Sequence, residues 1–146
     1  MIKRLSVAAA TMALCTGGLI ALPAMAQAAD PPCSGGYACM WEDIHYVTNG
    51  SATHSFSMYY YVKNFAVSGS RYAGTSLPVY KSISSEFNAG YGGDRVYYFK
   101  EANCTGTSFS TAPGNGDSDF TNGSPAGAFN DQIVSASFAS MLASCF

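Results

Sequence analysis

Two histidines, His45 and His54, and a scatter of carboxylates are the main groups the chain offers to acid–base chemistry. Serine hydrolases need an activated hydroxyl, and no serine here stands in a Gly-x-Ser-x-Gly elbow. Glycoside hydrolysis needs two carboxyl groups flanking one bond. Nothing in the placement of Glu42, Asp43, Glu86 and Glu101 brings two of them together, so they are expected as solvated surface groups. The histidines read as structural or solvent-facing. No catalytic residue, no enzymatic activity and no cofactor are therefore predicted.

Sulfur chemistry is better marked. There are five cysteines, of which Cys15 lies in the apolar N-terminal stretch. In an exported chain the other four, Cys33, Cys39, Cys104 and Cys145, read as two disulfides, for which three connectivities exist. The favoured one closes a short Cys33–Cys39 loop, because Ser34, Gly35 and Gly36 let the chain turn tightly, and ties Cys104 to Cys145. Zinc is disfavoured, since the spacings match no common cluster and thiols oxidise in that compartment.

Export itself is read from the first residues. Lys3 and Arg4 precede an apolar stretch from Leu5 to Leu22, followed by Pro23 and the small-residue triplet Ala24, Met25 and Ala26. This is the anatomy of a signal peptide over residues 1–26. A membrane-spanning helix takes about 20 apolar residues, and Gly17, Gly18 and Pro23 interrupt this one. Leu14 before Cys15 argues against a lipoprotein anchor. Cleavage after Ala26 would remove two of seven basic residues and none of nine acidic ones, leaving five against nine, a net charge of −4. Such a chain lacks the clustered Lys and Arg that phosphate binding needs, so no nucleic-acid partner is expected. Residues 27–146 are expected to form one domain, secreted, free of the membrane once cleaved, and monomeric.

The elements that must position these groups are strands. Tyr37, Cys39 and Trp41 alternate, as do Phe56, Met58, Tyr60 and Val62, which is the period of a strand. Similar short runs recur at Val96–Phe99 and at Val134, Ala136 and Phe138. Turn signals separate them at Asn49-Gly50, Gly92-Gly93, Asn115-Gly116 and Asn122-Gly123. Residues 114–127 read as a long surface loop. The segments 41–46 and 99–104 share an aromatic followed closely by an acid, which implies two related halves. Two antiparallel sheets would then pack as a sandwich, burying one face of each and leaving the serine-rich faces wet. Tyr59, Tyr60, Tyr61 and Tyr72 form a candidate stacking platform for sugar rings. Alternation puts Tyr60 inward and Tyr59 and Tyr61 outward, while simple coverage of a sheet face is the favoured alternative.

The run Cys33-Ser34-Gly35-Gly36-Tyr37-Ala38-Cys39-Met40-Trp41-Glu42 resembles the opening, Cys-x-x-Gly-x-x-Cys-x-Trp-Glu, of secreted actinomycete-type peptidase (metalloproteinase) inhibitors with a βγ-crystallin-like fold. Ala128 to Ser135 is similar to that family's Phe-Asn-Asp segment. The resemblance implies an all-β, βγ-crystallin-like antiparallel Greek-key sandwich stapled by two disulfides. It further implies inhibition of an extracellular peptidase, a metallopeptidase in the family's manner, through a disulfide-tethered loop placed at Cys104, Thr105, Gly106 and Thr107. The alternative is a non-catalytic cell-surface or glycan-binding module of the same fold. The fold's signature, an aromatic, four residues, an aromatic, one residue and a glycine, is only partly kept. Cys104 stands at the second aromatic of the Phe99–Gly106 copy, and Thr48 replaces the glycine of the Trp41–Thr48 copy. Domains of this fold can bind calcium through an Asn/Asp pair and two later hydroxyls, which nominates Asn130, Asp131 and Ser135 as weak candidates. Val134 lacks the other hydroxyl, and Tyr80 and Lys81 replace the pair in the first half. No calcium is expected, and Asn130 and Asp131 are expected to bond their own backbone in a turn.

Overall fold

The computed structural model describes residues 31–146; the expected signal peptide lies outside the described residues. Eight strands run in order: β1 (Ala38–Trp41), β2 (Phe56–Met58), β3 (Tyr61–Val62), β4 (Ser85–Asn88), β5 (Val96–Phe99), β6 (Ser108–Thr111), β7 (Asn115–Asp117) and β8 (Ser135–Phe138). They form two antiparallel four-stranded sheets, ordered β2-β1-β4-β7 and β3-β8-β5-β6. Adding four to each label in the first sheet, and returning from eight to one, gives β6-β5-β8-β3. That is the second sheet read backwards, so the two halves are related by a pseudo-two-fold, and each half lends its third strand to the other's sheet.

The register explains what is buried. Met40 pairs with Phe56 and Glu86, and Tyr98 pairs with Phe109 and Ala136. Ala38, Met40, Val96, Tyr98, Ala136 and Phe138 face inward and make the core with Phe65, Ile83, Phe120, Phe129 and Ile133. Trp41 and Phe99 therefore face outward, yet they too are buried. A folded hairpin covers each. Over Trp41 lies Tyr46, with ring centroids 5.2 Å apart. Over Phe99 lies the Cys104–Cys145 disulfide, in a small cluster of its own. Cys104 occupies the second aromatic position, so sulfur fills in one half the place that a tyrosine ring fills in the other.

Several expectations require correction. Phe56 to Val62 is not one strand: β2 and β3 belong to different sheets, and the chain bends at Tyr59 and Tyr60 as it crosses between them. Tyr60 consequently points to solvent. Residues 114–127 are not a bare loop, because β7 closes the first sheet and Phe120 and Ala126 enter the core. The serine-rich faces are not wet: Ser85, Ser135 and Ser137 are fully buried beneath the hairpins and the C-terminal segment. Glu86 is not a solvated acid, since pairing with Met40 turns it into the sandwich. Thr48 replaces the motif glycine without straining its own backbone. The positive φ falls instead on Asn49 and Gly50, while Thr48 Oγ1 accepts the Glu42 N–H at 2.9 Å.

A tyrosine cleft as the candidate functional site

The short disulfide loop forms the bed of an aromatic surface. Within the Cys33–Cys39 loop Gly36 adopts φ +88°, and its N–H donates to Ala89 O at 2.7 Å. Tyr91 lies against this loop: a β-carbon on Gly35 would stand 2.3 Å from the Tyr91 hydroxyl oxygen, and one on Gly36 3.0 Å from its Cε2. Both the left-handed backbone and the close approach require glycine at Gly36. Tyr59 packs between Tyr37 and Tyr60, with ring centroids 5.2 and 4.4 Å away.

Tyr59, Tyr60 and Tyr91 are 50, 55 and 73% exposed. With Gly36, Gly90 and Phe138 they line a cleft of about 200 Å³. Its polar edge is Asp94 with Ser140: the Ser140 N–H donates to Asp94 Oδ1 at 3.1 Å and its hydroxyl to Oδ2 at 2.6 Å. Pockets that engulf small ligands run to about 300–1,000 Å³, so this cleft suits a ring resting on aromatic faces. Tyrosine gives a large rigid face with a polar tip at little conformational cost.

Of the residues expected in a stacking platform, Tyr59 and Tyr60 are there and Tyr61 is half-buried in β3 against the second disulfide. Tyr72 is not available. It is 1% exposed, its hydroxyl donates to Ser82 O at 3.0 Å, and burial pushes its phenol well up. Sequence reasoning did not reach Tyr91, whose only signal is one aromatic set among Gly90, Gly92 and Gly93.

The tethered turn lies elsewhere. Cys104 is buried in its disulfide, and Thr105, Gly106 and Thr107 are exposed. Asn103 and Cys104 take φ 56° and 54°, so the turn is folded back on itself rather than extended.

The calcium candidates do not converge. The Ser135 hydroxyl is already committed to Cys104 N–H and Glu101 O. Asp131 Oδ1 accepts the Ser84 hydroxyl at 3.5 Å and Oδ2 accepts the Asn130 amide at 2.9 Å. Neither side chain closes on its own backbone, which corrects the turn expected there. Asn130 Oδ1 is buried with no partner. Beside this loop the Glu42 carboxyl is pushed up, first by burial and then by the charges of Asp43 and Asp131. Among the described residues no group of three His, Cys, Asp or Glu side chains could hold a metal ion. The residues present do not fit a complete calcium site.

Solved structures similar to this chain share its architecture. One, from work on the evolution of the eye-lens βγ-crystallin domain fold, superposes with a TM-score of 0.53 at 18% identity, covering 73% of this chain and 87% of that one. A βγ-crystallin from Ciona intestinalis follows at 0.48, with 14% identity over 70% of this chain and 99% of that one. An IgE-binding crystallin, IPSE alpha-1, gives 0.47 at 15% identity over 70% and 81% of the two chains. No family model matches the chain, and no curated protein matches it. The chain thus has a βγ-crystallin-like fold with two disulfides. Identities this low speak to the fold and not to the activity of any relative.

Proposed function

We propose that the chain is an exported, non-catalytic binding module that holds glycan rings on the tyrosine cleft. The observation that carries this reading is the exposure of Tyr59, Tyr60 and Tyr91 around one cleft. Large exposed aromatics grouped on one surface mark interaction sites. Two disulfides suit an oxidising compartment, and among the described residues no helix is long and apolar enough to cross a membrane. The test is binding to purified cell wall and to soluble glycans by wild type and by Tyr60→Ala and Tyr91→Ala. Wild-type binding lost in both variants, with melting curves unchanged, supports the reading; equal binding by all three overturns it.

A second reading, inhibition of an extracellular peptidase and in the first instance a metallopeptidase, draws on the exposed residues Thr105 to Thr107 beside the buried Cys104–Cys145 bridge. A tethered turn lowers the ordering cost of binding. Titration against a thermolysin-type and a subtilisin-type enzyme tests it. Stoichiometric inhibition that disappears on reduction favours it, and rapid cleavage without inhibition removes it.

A further inference from the structure

The cleft carries a charge as well as rings. Of the residues that line it, only Asp94 is ionic. Its carboxylate is fixed in place by the two hydrogen bonds from Ser140, N–H to Oδ1 and hydroxyl to Oδ2. A carboxylate oxygen has lone pairs for two donors, so each oxygen can still accept from a ligand. Asp94 is half-buried, and its main-chain oxygen accepts the Asn88 amide at 3.1 Å, which pins the residue at both ends. The neighbouring cation, Arg95, is turned away: its guanidinium donates to Ser110 O and Oγ at 3.1 and 3.0 Å on β6. The carboxylate therefore stands on the rim of an aromatic cleft with its negative charge unopposed by a side chain of the lining.

Resting on the glycan-binding reading above, we infer that the cleft selects glycans bearing a free, protonated amino group, with Asp94 as the specificity-determining residue. The tyrosine faces bind any pyranose through its C–H surface, and a protonated amine sits favourably over their rings as well. The carboxylate adds a charge-assisted hydrogen bond to an ammonium group and repels uronic acids and sulfated sugars. An N-acetylated sugar keeps the stacking and loses the charge. Discrimination then comes from attraction of one ligand and repulsion of another at one position.

The experiment compares fully deacetylated glucosamine oligosaccharide with its N-acetylated counterpart, by calorimetry in mildly acidic buffer that keeps the sugar amine protonated. The expected wild-type preference for the free amine is about fivefold, the upper range of an exposed charge pair. Asp94→Asn should abolish the preference while leaving affinity for the acetylated sugar intact. Glu101→Gln, an equal change of net charge at an exposed acid outside the cleft lining, should retain it. Wild-type binding without preference, or a preference that survives in Asp94→Asn or falls equally in Glu101→Gln, overturns the role of Asp94 and leaves the glycan reading standing. Binding of neither sugar by wild type overturns both.

Discussion

Ser85 and Ser135 hold the two folded hairpins by the same pair of hydrogen bonds. The Ser85 hydroxyl donates to Asp43 O at 2.6 Å and accepts the Tyr46 N–H at 3.2 Å. The Ser135 hydroxyl donates to Glu101 O at 2.5 Å and accepts the Cys104 N–H at 3.0 Å. Each serves a corner where two successive residues take positive φ, His45 and Tyr46 in one half and Asn103 and Cys104 in the other. A side-chain hydroxyl satisfies there the backbone groups that the turned chain cannot pair. Ser→Ala at either position should cost about 1–3 kcal/mol by orphaning them. Ser135→Ala should cost more, because its acceptor bond to Cys104 is fully buried whereas that of Ser85 is only partly so. Urea unfolding measures both, and equal, negligible losses would remove the serines from this role.

Glu86 bridges the sheets: both its oxygens accept hydroxyl hydrogen bonds, from Tyr98 at 2.9 Å and Thr111 at 2.7 Å. Burial raises its pKa from 4.5 to about 7, against the lowering effect of those two bonds and of a backbone hydrogen bond from Asp117, whose charge adds only a smaller upward push. At pH below 4.5 both folded and unfolded chains hold the proton and the full stability is present. Between 4.5 and about 7 only the folded chain holds it, so stability falls as pH rises, by about 3 kcal/mol in all at ~1.4 kcal/mol per unit. Glu86→Gln should flatten that window, and the variant should gain on wild type as pH rises. Unfolding curves across that window measure the difference; parallel losses in both proteins would place the proton elsewhere.

Much of this was legible in sequence, and the failures have physical causes. Alternation located β1, β5 and β8 because each sits centrally in its sheet and is buried along all or most of its length, where packing dictates residue type. It failed from Phe56 to Val62, where period two continues across a change of sheet: the side chains alternate, but the chain bends between Met58 and Tyr61. β7 reads Asn-Gly-Asp, a turn by composition, and is a strand only because β4 offers an unpaired edge. Glu86 looks like any surface acid, since the Tyr98 and Thr111 hydroxyls that tolerate it come from another sheet. In the cleft the opening glycines were visible, but Tyr91 above them is a tertiary contact with no local signature.

The two disulfides should separate in effect. By loop-closure entropy the Cys104–Cys145 bridge, with a sequence separation of 41, is worth about 4 kcal/mol, and Cys33–Cys39, with a separation of 6, about 2 kcal/mol. The smaller bridge closes the loop that carries Gly35 and Gly36 under Tyr91. Replacing Cys33 and Cys39 by Ser should therefore weaken glycan binding more than it weakens folding. Replacing Cys104 and Cys145 should lower stability sharply and leave the affinity of the folded fraction unchanged. Denaturant titration and binding on wild type and both double variants check the pattern, and its reversal would detach the cleft from the short loop.

Calcium at millimolar concentration should leave the melting midpoint where it is. The ion takes six to eight oxygens, and the loop at Asn130 supplies few that are free. Ser135 is committed to the hairpin, Val134 brings no oxygen in its side chain, and Asp131 already receives Ser84 and Asn130. In the first half Lys81 stands at the equivalent left-handed position, φ 52° against 54° for Asp131, with its ammonium 5.5 Å from the Tyr80 ring centroid. The two loops are already fastened to each other: the Lys81 N–H donates to Ile133 O and the Asp131 N–H to Ile83 O, each at 3.2 Å. Their crossing does not depend on a cation. A ligand that binds the folded state raises its stability by RT ln(1 + [L]/Kd), so an upward shift that grows with calcium would contradict this account. It would assign the Glu42 carboxyl, Asp131 and the unpaired Asn130 Oδ1 as ligands, and Asp131→Asn should then abolish it.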